Sequence, residues 1–526
     1  MKLFLSAALV AVVVAAQPPQ TYDLIVKNAR IVDGTGGPST TGDVAIAGDT
    51  IAQVAARIDA PATRIVDVHG QVVAPGFIDI HTHARRGIFE VPTADNYVRQ
   101  GVTTLVEGPD GSSPLPLGEF LDRVKAKGIS PNFASMIGQG SVRETVIGSV
   151  DRKATPAELD KMRALVRQGM EDGAFGLSTG LFYVPGTFTP TAEVIELAKI
   201  AGAMGGIHIS HMRDEASQVL QSVRETIEIG EKGHLPTQVT HHKIIGKGNW
   251  GKSVDTLRLI DEARARGVDA TIDQYPYTAS STGIGAALLP AWAQEGGRDS
   301  LMKRMNTAST RSEIRAETIR LIKEERGGGD PHNIQIARCT WDKSLDGKRL
   351  DEITKGRGLQ PTIENAADTA LWIIEQGGCS GIFHAISEDD LQRIMKHPQT
   401  MIASDGEVPV FGQAHPHPRS YGTNVRVLGR YVRDLKVITL EDAIYKMTAF
   451  PAKRLGLKDR GTLKQGMKAD IAVFDPNTVR DTATFENPHS YAEGVSLVIV
   501  NGQPVFDGSK MTPARPGRVL YGPAKK

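Results

Sequence analysis

His81 and His83, in the run Asp79-Ile80-His81-Thr82-His83, put two imidazoles two positions apart at the end of the apolar stretch Val72 to Ile80. Side chains at i and i+2 of a strand share one face, so both rings can address the same metal ion. On a helix the same pair would diverge by roughly 200° and could not chelate together. Two unrelated surface histidines at a strand end is the bland alternative, and it weakens because similar groups recur along the chain. Ser210-His211-Met212-Arg213-Asp214-Glu215, Thr240-His241-His242-Lys243 and Ser404-Asp405-Gly406 each close a short apolar run. Together these clusters supply nitrogen and oxygen ligands suited to one or two Zn²⁺-like ions.

Such residues must be brought together by the elements that carry them. Between about Ala74 and Ala452 short apolar strands alternate with helical stretches, the pattern of parallel βαβ units. Strands are expected to end, in order, within 78–83, 103–107, 132–137, 175–178, 206–210, 237–240, 270–273 and 400–404. Eight such units imply an α/β fold built on a TIM-like (β/α)8 barrel over 74–452, which keeps its chemistry at the carboxyl ends of the strands. The last two strands are too far apart for one helix. The charged, glycine-bearing stretch 298–358 between them is expected to be an inserted lid subdomain. Both ends of the mature chain carry β-rich runs around a turn dipeptide, Asn28-Ala29 near the start and Asn501-Gly502 near the finish. We read 21–73 and 453–515 as one small β-sandwich, since either half alone would bury too little core.

Composition excludes several classes. Lys plus Arg number 61 against 60 Asp plus Glu, a net charge of +1 with no basic stripe, so nucleic acid is not an expected partner. Lys2 followed by the apolar run Leu3 to Ala15 reads as a secretory signal cut after Ala16, which implies a periplasmic or secreted protein. The run is shorter than the ~20 residues that a spanning helix needs, so no stable membrane span is expected. Cys339 and Cys379 are the only cysteines, and the sequence leaves open whether they pair.

Longer motifs carry a resemblance. The chain is similar to the amidohydrolase superfamily, and within it to the N-acyl-D-amino-acid deacylase (D-aminoacylase) family, over nearly the whole mature length. The likeness rests on Ala74-Pro75-Gly76-Phe77-Ile78-Asp79-Ile80-His81-Thr82-His83, Gly101-Val102-Thr103-Thr104, the run Gly173 to Leu181 and Ser210 to Glu215. It continues in His241-His242-Lys243, Asp273-Gln274-Tyr275-Pro276-Tyr277, Ser404-Asp405-Gly406 and His417-Pro418-Arg419-Ser420-Tyr421-Gly422. The resemblance implies that His81 and His83 hold one metal, that His211 and His241 hold a second, and that Asp405 is both a metal contact and a proton shuttle. Zinc, as one or two ions, is the implied cofactor, and a small N-acyl amino acid the implied substrate. Lys243, Arg419 and Tyr183 match positions that bind its α-carboxylate.

One departure stands out. Family members place a metal-binding cysteine shortly after the second strand, whereas this chain reads Glu107-Gly108-Pro109-Asp110-Gly111. Counting from Gly101 puts Asp110 at that position, while Glu107 lies at the strand end and is long enough to reach inward. Asp110 ranks slightly ahead. A carboxylate is a harder ligand than a thiolate and shifts preference away from tight, soft zinc binding. His242, His384 and His417 are read as packing or supporting histidines, and Ser178 has no base at a useful spacing. Two rival readings exist. A cyclic amidase or dipeptidase of the same superfamily is one, but the carboxylated lysine that bridges the metals of cyclic amidases has no counterpart in Ala174 to Thr179. The other is an inactive barrel used for binding, which would be expected to have lost the ligands kept here.

Overall fold

The structure, a computed structural model, describes residues 21–526. The signal reading for 1–16 lies outside the described residues. Among those described, no helix is long and apolar enough to cross a membrane.

Eight short strands succeed one another in chain order: Phe77–Asp79, Val102–Glu107, Asn132–Ser135, Gly176–Gly180, Ile207–His211, Thr237–Val239, Ala270–Gln274 and Thr400–Ile402. Neighbours pair in parallel, the third reaching the fourth through the short strand Ile137–Gly138. After the eighth, Asp405 N–H donates to the His81 carbonyl at 2.8 Å and Ser404 N–H to Asp79 Oδ1 at 3.0 Å, joining the last strand end to the first. The strands are buried on both faces, as near-continuous apolar runs between covering helices require. Helix Pro156–Asp172 illustrates the cover. Thr155 and Glu158 form a capping box at its start, and it buries Met162, Val166 and Met170.

The two chain ends meet in one eight-stranded sheet, with Val72–Pro75 antiparallel to Ile471–Phe474 and Val73 opposite Val473. Leu24, Val26, Val44, Ile46, Val473, Leu497 and Ile499 share one apolar cluster from both ends. Asn501-Gly502 turns a tight hairpin between Val495–Val500 and Gln503–Phe506, both residues at positive φ. Asn28-Ala29 does not. Tyr22–Ile31 runs on as a single strand, and Asn28, at φ 56°, sits at an irregularity of its pairing with Thr40–Ala47. An asparagine in the left-handed region serves a bulge as readily as a turn, so the dipeptide alone could not separate the two.

Between the seventh and eighth strands, Ser280–Gly283, Ser380–Phe383 and Ile334–Arg338 form a separate antiparallel sheet. With the helices around it this segment has its own core, from Ile284 to Phe383, wider than the 298–358 suggested by charge and glycine content. A disulfide joins Cys339 and Cys379, whose Cα atoms are 4.5 Å apart, within this unit.

Candidate metal centre

The first strand is interrupted before the histidines: Thr82–His83 is a separate short strand, paired with Gly406–Glu407. The rings of His81 and His83 nevertheless lie 5.8 Å apart at one centre. Two groups converge there. His81, His83, Asp110 and Asp405 form one, and Asp110, His211 and His241 the other, each with ligand atoms within 4.8 Å of one another.

Asp110 belongs to both. Its Oδ1 lies 3.5 Å from His81 Nε2, 3.3 Å from His241 Nε2 and 3.7 Å from His211 Nδ1, and its Oδ2 lies 3.4 Å from His83 Nε2. Asp405 Oδ1 is 3.0 Å from His83 Nε2 and 3.5 Å from His81 Nε2. Glu107 is elsewhere: its carboxylate accepts the Arg85 backbone N–H at 2.9 Å and faces that residue's guanidinium at 3.5 Å. The reach of the longer side chain is thus used on the loop after His83, and the cluster takes its strand-two carboxylate from Asp110 alone. Asp110 reaches inward because its loop lies flat on neighbouring strand ends. Gly180 is the contact: a Cβ there would come within 2.1 Å of the Asp110 carbonyl.

Asp110, His241 and Asp405 adopt positive φ, at 56°, 34° and 53°. Non-glycine residues in that region are held by their surroundings and collect at functional sites. The Asp273 carboxylate secures one of them, accepting the His241 N–H at 2.7 Å and Gln238 Nε2–H at 2.5 Å. Its Oδ1 also lies 3.5 Å from His81 Nδ1, as a carboxylate that orients a ligating imidazole would.

His81 Nε2, Asp110 Oδ1 and Asp405 Oδ1 are buried and have no hydrogen-bond partner. Buried polar atoms are normally satisfied, and this convergent nitrogen and oxygen set fits a divalent transition cation. Burial opposes the ionisation of Asp405, but the Arg419 guanidinium and His81 outweigh it and hold the carboxyl well below the usual range. It is therefore a carboxylate at neutral pH.

The residues expected to bind a carboxylate stand close by, but occupied. Arg419 begins the helix Arg419–Arg426, with Nη1 2.7 Å from Asp405 Oδ2 and its guanidinium over Tyr275. Lys243 Nζ pairs with Glu215 and lies 2.7 Å from His241 Nδ1. Tyr183 packs on the His211 ring, and its phenol accepts from Thr282 Oγ1 at 3.1 Å. His242 meets Thr256, His417 lies among Tyr275, Tyr277 and Phe485, and His384 packs on Phe485. Ser178 donates to the Gly108 carbonyl at 2.5 Å.

Sequence reading assigned no role to Glu215, Asp273, Tyr275 or Arg326. The first three sit inside the quoted motifs but carried no ligand spacing. Glu215 is a hub, 3.2 Å from His241 Nδ1 and 3.8 Å from His211 Nε2. Burial opposes its ionisation, yet Lys243 and the two imidazoles hold it well below the usual carboxylate range. Arg326, in a charged run of the inserted segment, left no local signal. A cavity of about 640 Å³ opens onto His83, Asp110 and Asp405, walled by Tyr183 and, from the insertion, by Thr282 and Arg338.

The chain matches the amidohydrolase family model over residues 64–506. It is 36% identical over 524 residues to a D-aminoacylase of Alcaligenes xylosoxydans xylosoxydans, covering 95% of this chain and 98% of that one. An N-acyl-D-glutamate deacylase of the same organism is 35% identical, covering 95% and 97%. Among solved structures, a D-aminoacylase with a binuclear metal centre superposes with a TM-score of 0.81 at 34% identity, over 95% of this chain and all of that one. An N-acyl-D-glutamate deacylase from Bordetella bronchiseptica, complexed with zinc and a phosphonate inhibitor, gives 0.81 at 33% identity with the same coverage. An L-hydantoinase, at 18% identity and a TM-score of 0.52, shares the fold. With its two strand-end histidine pairs gathered on one carboxylate and 95% of its length matched by these relatives, this chain belongs to the amidohydrolase family, in the branch of the D-aminoacylases.

Proposed function

We propose that the protein hydrolyses N-acyl-D-amino acids in a metal-dependent reaction, releasing a carboxylic acid and a free D-amino acid. The observation that carries this reading is the Asp110 carboxylate shared by the two histidine pairs, with Asp405 beside it and the large cavity in front. His81, His83, Asp110 and Asp405 would hold one cation, and Asp110, His211 and His241 the other. A divalent ion so held polarises the amide carbonyl and lowers the pKa of water. Asp405, ionised and next to both His81 and His83, takes the proton of the attacking water and passes it to the leaving nitrogen. Asp273 and Glu215 keep the imidazoles turned inward. Arg419, Lys243 and Tyr183 bind the α-carboxylate.

The same reading extends to architecture and location. We take the eight parallel strands as a closed (β/α)8 barrel over 74–452, with the paired chain ends as a β-sandwich and the insertion as a lid. The strand-end hydrogen bonds from Asp405 to His81 and from Ser404 to Asp79 support the closure. Export is favoured by the leader-like first sixteen residues and by the Cys339–Cys379 disulfide, a bond that persists in oxidising compartments.

The test is hydrolysis of N-acetyl-D-amino acids, N-acetyl-L-amino acids, dipeptides and hydantoins by the zinc-loaded enzyme, before and after exhaustive chelation. Turnover is expected with the N-acetyl-D series and lost on chelation. Full activity without metal, or a clear preference for L substrates, would refute the reading.

A further inference from the structure

The disulfide stands at the rim of the large cavity. Arg338, at the end of Ile334–Arg338, lies opposite Ser380, at the start of Ser380–Phe383, and both line the cavity in front of the metal cluster. Cys339 and Cys379 are the next residues outward, so their bond closes the strand pair beside the cavity. The ladder itself is weak there. Its register breaks between Ile336 and Arg338, and Cys379 follows Gly377 and Gly378, both at positive φ. An irregular register loses ladder bonds, and glycines leave a strand end more freedom than other residues do.

From this end Arg338 reaches across to the barrel. Its Nη2 is 3.1 Å from Glu407 Oε2, and Arg86 Nη1 is 2.7 Å from Glu407 Oε1. Glu407 lies two residues past Asp405, and Gly406–Glu407 pairs with Thr82–His83. The Arg338–Glu407 pair therefore ties the insertion to the loop ends that carry Asp405 and His83. The Arg338 side chain is 43% exposed, and an ion pair in water is worth little unless its geometry is held for it. A covalent bond one residue away supplies that constraint.

We propose that the Cys339–Cys379 disulfide is a positioning element of the active site. It holds Arg338 against Glu407 at the cavity rim, so substrate affinity depends on the oxidation of these two cysteines. Closure is a thiol–disulfide exchange: the two thiols give two electrons and two protons to a disulfide oxidant, whose own S–S bond breaks and which leaves as a dithiol. Cys339 and Cys379 are the only cysteines, and the metal cluster is made of imidazoles and carboxylates, so the oxidant meets no other thiol. This role deepens the deacylase reading, on which it rests for the substrate.

The insertion can be tested without its disulfide because it has its own core, and because Cys339 N–H donates to Asp346 Oδ1 at 2.7 Å and Ile284 N–H to the Cys379 carbonyl at 2.8 Å. The zinc-loaded enzyme, oxidised and phosphine-reduced, is compared with Cys339→Ser/Cys379→Ser, with Arg338→Met and with the three changes combined. N-acetyl-D-leucine is the substrate, kcat and KM are separated, and zinc, free thiols and circular dichroism are recorded. Reduction and the serine pair should each raise KM about fivefold, as a smaller share of molecules then has the rim in place, with kcat and zinc within about twofold of the oxidised parent. Arg338→Met should raise KM by the same factor, and the combination should add nothing, since both changes break one contact. If the serine pair does not fold, Arg338→Met in its oxidised and reduced forms gives the same comparison. Additive effects, an unchanged KM, loss of zinc, or unfolding of the reduced parent as well would make the disulfide a staple of the insertion alone and overturn the proposal. Amide hydrogen exchange at 405–408, before and after reduction, separates the two readings. If the parent hydrolyses no N-acyl-D-amino acid, the deacylase reading fails, and the positioning role stands only if exchange there quickens on reduction. Unchanged exchange overturns it whatever the activity.

Discussion

Asp110 has a left-handed backbone, and its carboxylate is common to both metal groups, so both depend on it. Asp110→Ala should lower the bound metal at both groups, whereas Glu107→Ala should leave metal content near that of the parent and disturb the Arg85 loop instead. Metal analysis of the two purified variants checks this, and the reverse order would transfer the ligand role to Glu107. Asp405 calls for a finer distinction, since the same carboxylate faces the metals and, in our reading, moves the proton. Asp405→Asn keeps an oxygen toward His81 and His83 but cannot accept a proton. The catalytic rate should fall by ~10²- to 10⁴-fold with most metal retained, and a variant within a few-fold of the parent would remove the shuttle role.

Elements hold these residues by cross-strand bonds as well as by packing. His208, in the fifth strand, spans its neighbours: Nε2 lies 3.0 Å from Thr179 Oγ1 and Nδ1 2.8 Å from Thr237 Oγ1. Burial first, and the Arg454 charge second, push its pKa down to about 3. A histidine depressed in the fold stays neutral there while the unfolded chain binds a proton below pH ~6.5, so its contribution is complete above that pH. Stability should then fall by ~1.4 kcal/mol per unit from pH ~6.5 toward 3. Denaturant titrations over this range should give a shallower acid slope for His208→Gln, and an unchanged slope would show that other groups set the acid limit. The insertion has a covalent element of its own. The 40-residue separation of Cys339 and Cys379 predicts that Cys339→Ser with Cys379→Ser costs about 4 kcal/mol by loop-closure entropy, read from unfolding of the oxidised parent and the variant.

At the scale of the molecule, the sheet from the chain ends is fastened to the third parallel strand by a buried polar network. Asp470 accepts from Asn132 Nδ2 at 3.1 Å, from Arg460 Nη1 at 2.5 Å and from the Asn501 backbone N–H at 2.7 Å, while Asn501 Nδ2 donates to Asn132 Oδ1 at 2.8 Å. Removing one partner of a buried pair strands the other charge. Asp470→Ala should therefore cost ~3–5 kcal/mol and Asp470→Asn less, because the amide still accepts. Equal unfolding free energies for parent and Asp470→Ala would mean the two parts are joined by apolar contact alone.

Local pattern was enough for much of this. The spacing of His81 and His83, the polar clusters after apolar runs, and the alternation of strand and helix are properties of neighbouring residues, so they point to a metal-dependent α/β enzyme, and the longer motifs carry the resemblance to its family. The Asn501-Gly502 turn was legible for the same reason, and Asn28-Ala29 was misread because a bulge and a turn ask the same of an asparagine. What only the tertiary structure decided are contacts between segments far apart in the chain. Asp110 rather than Glu107 enters the cluster because Gly180, some seventy positions on, lets its loop lie close. Cys339 meets Cys379 across a strand pair, and Arg326 reaches Glu215 from a segment more than a hundred residues away. Each depends on loop ends that become neighbours only when the parallel strands assemble, and nothing in the adjoining residues records that approach.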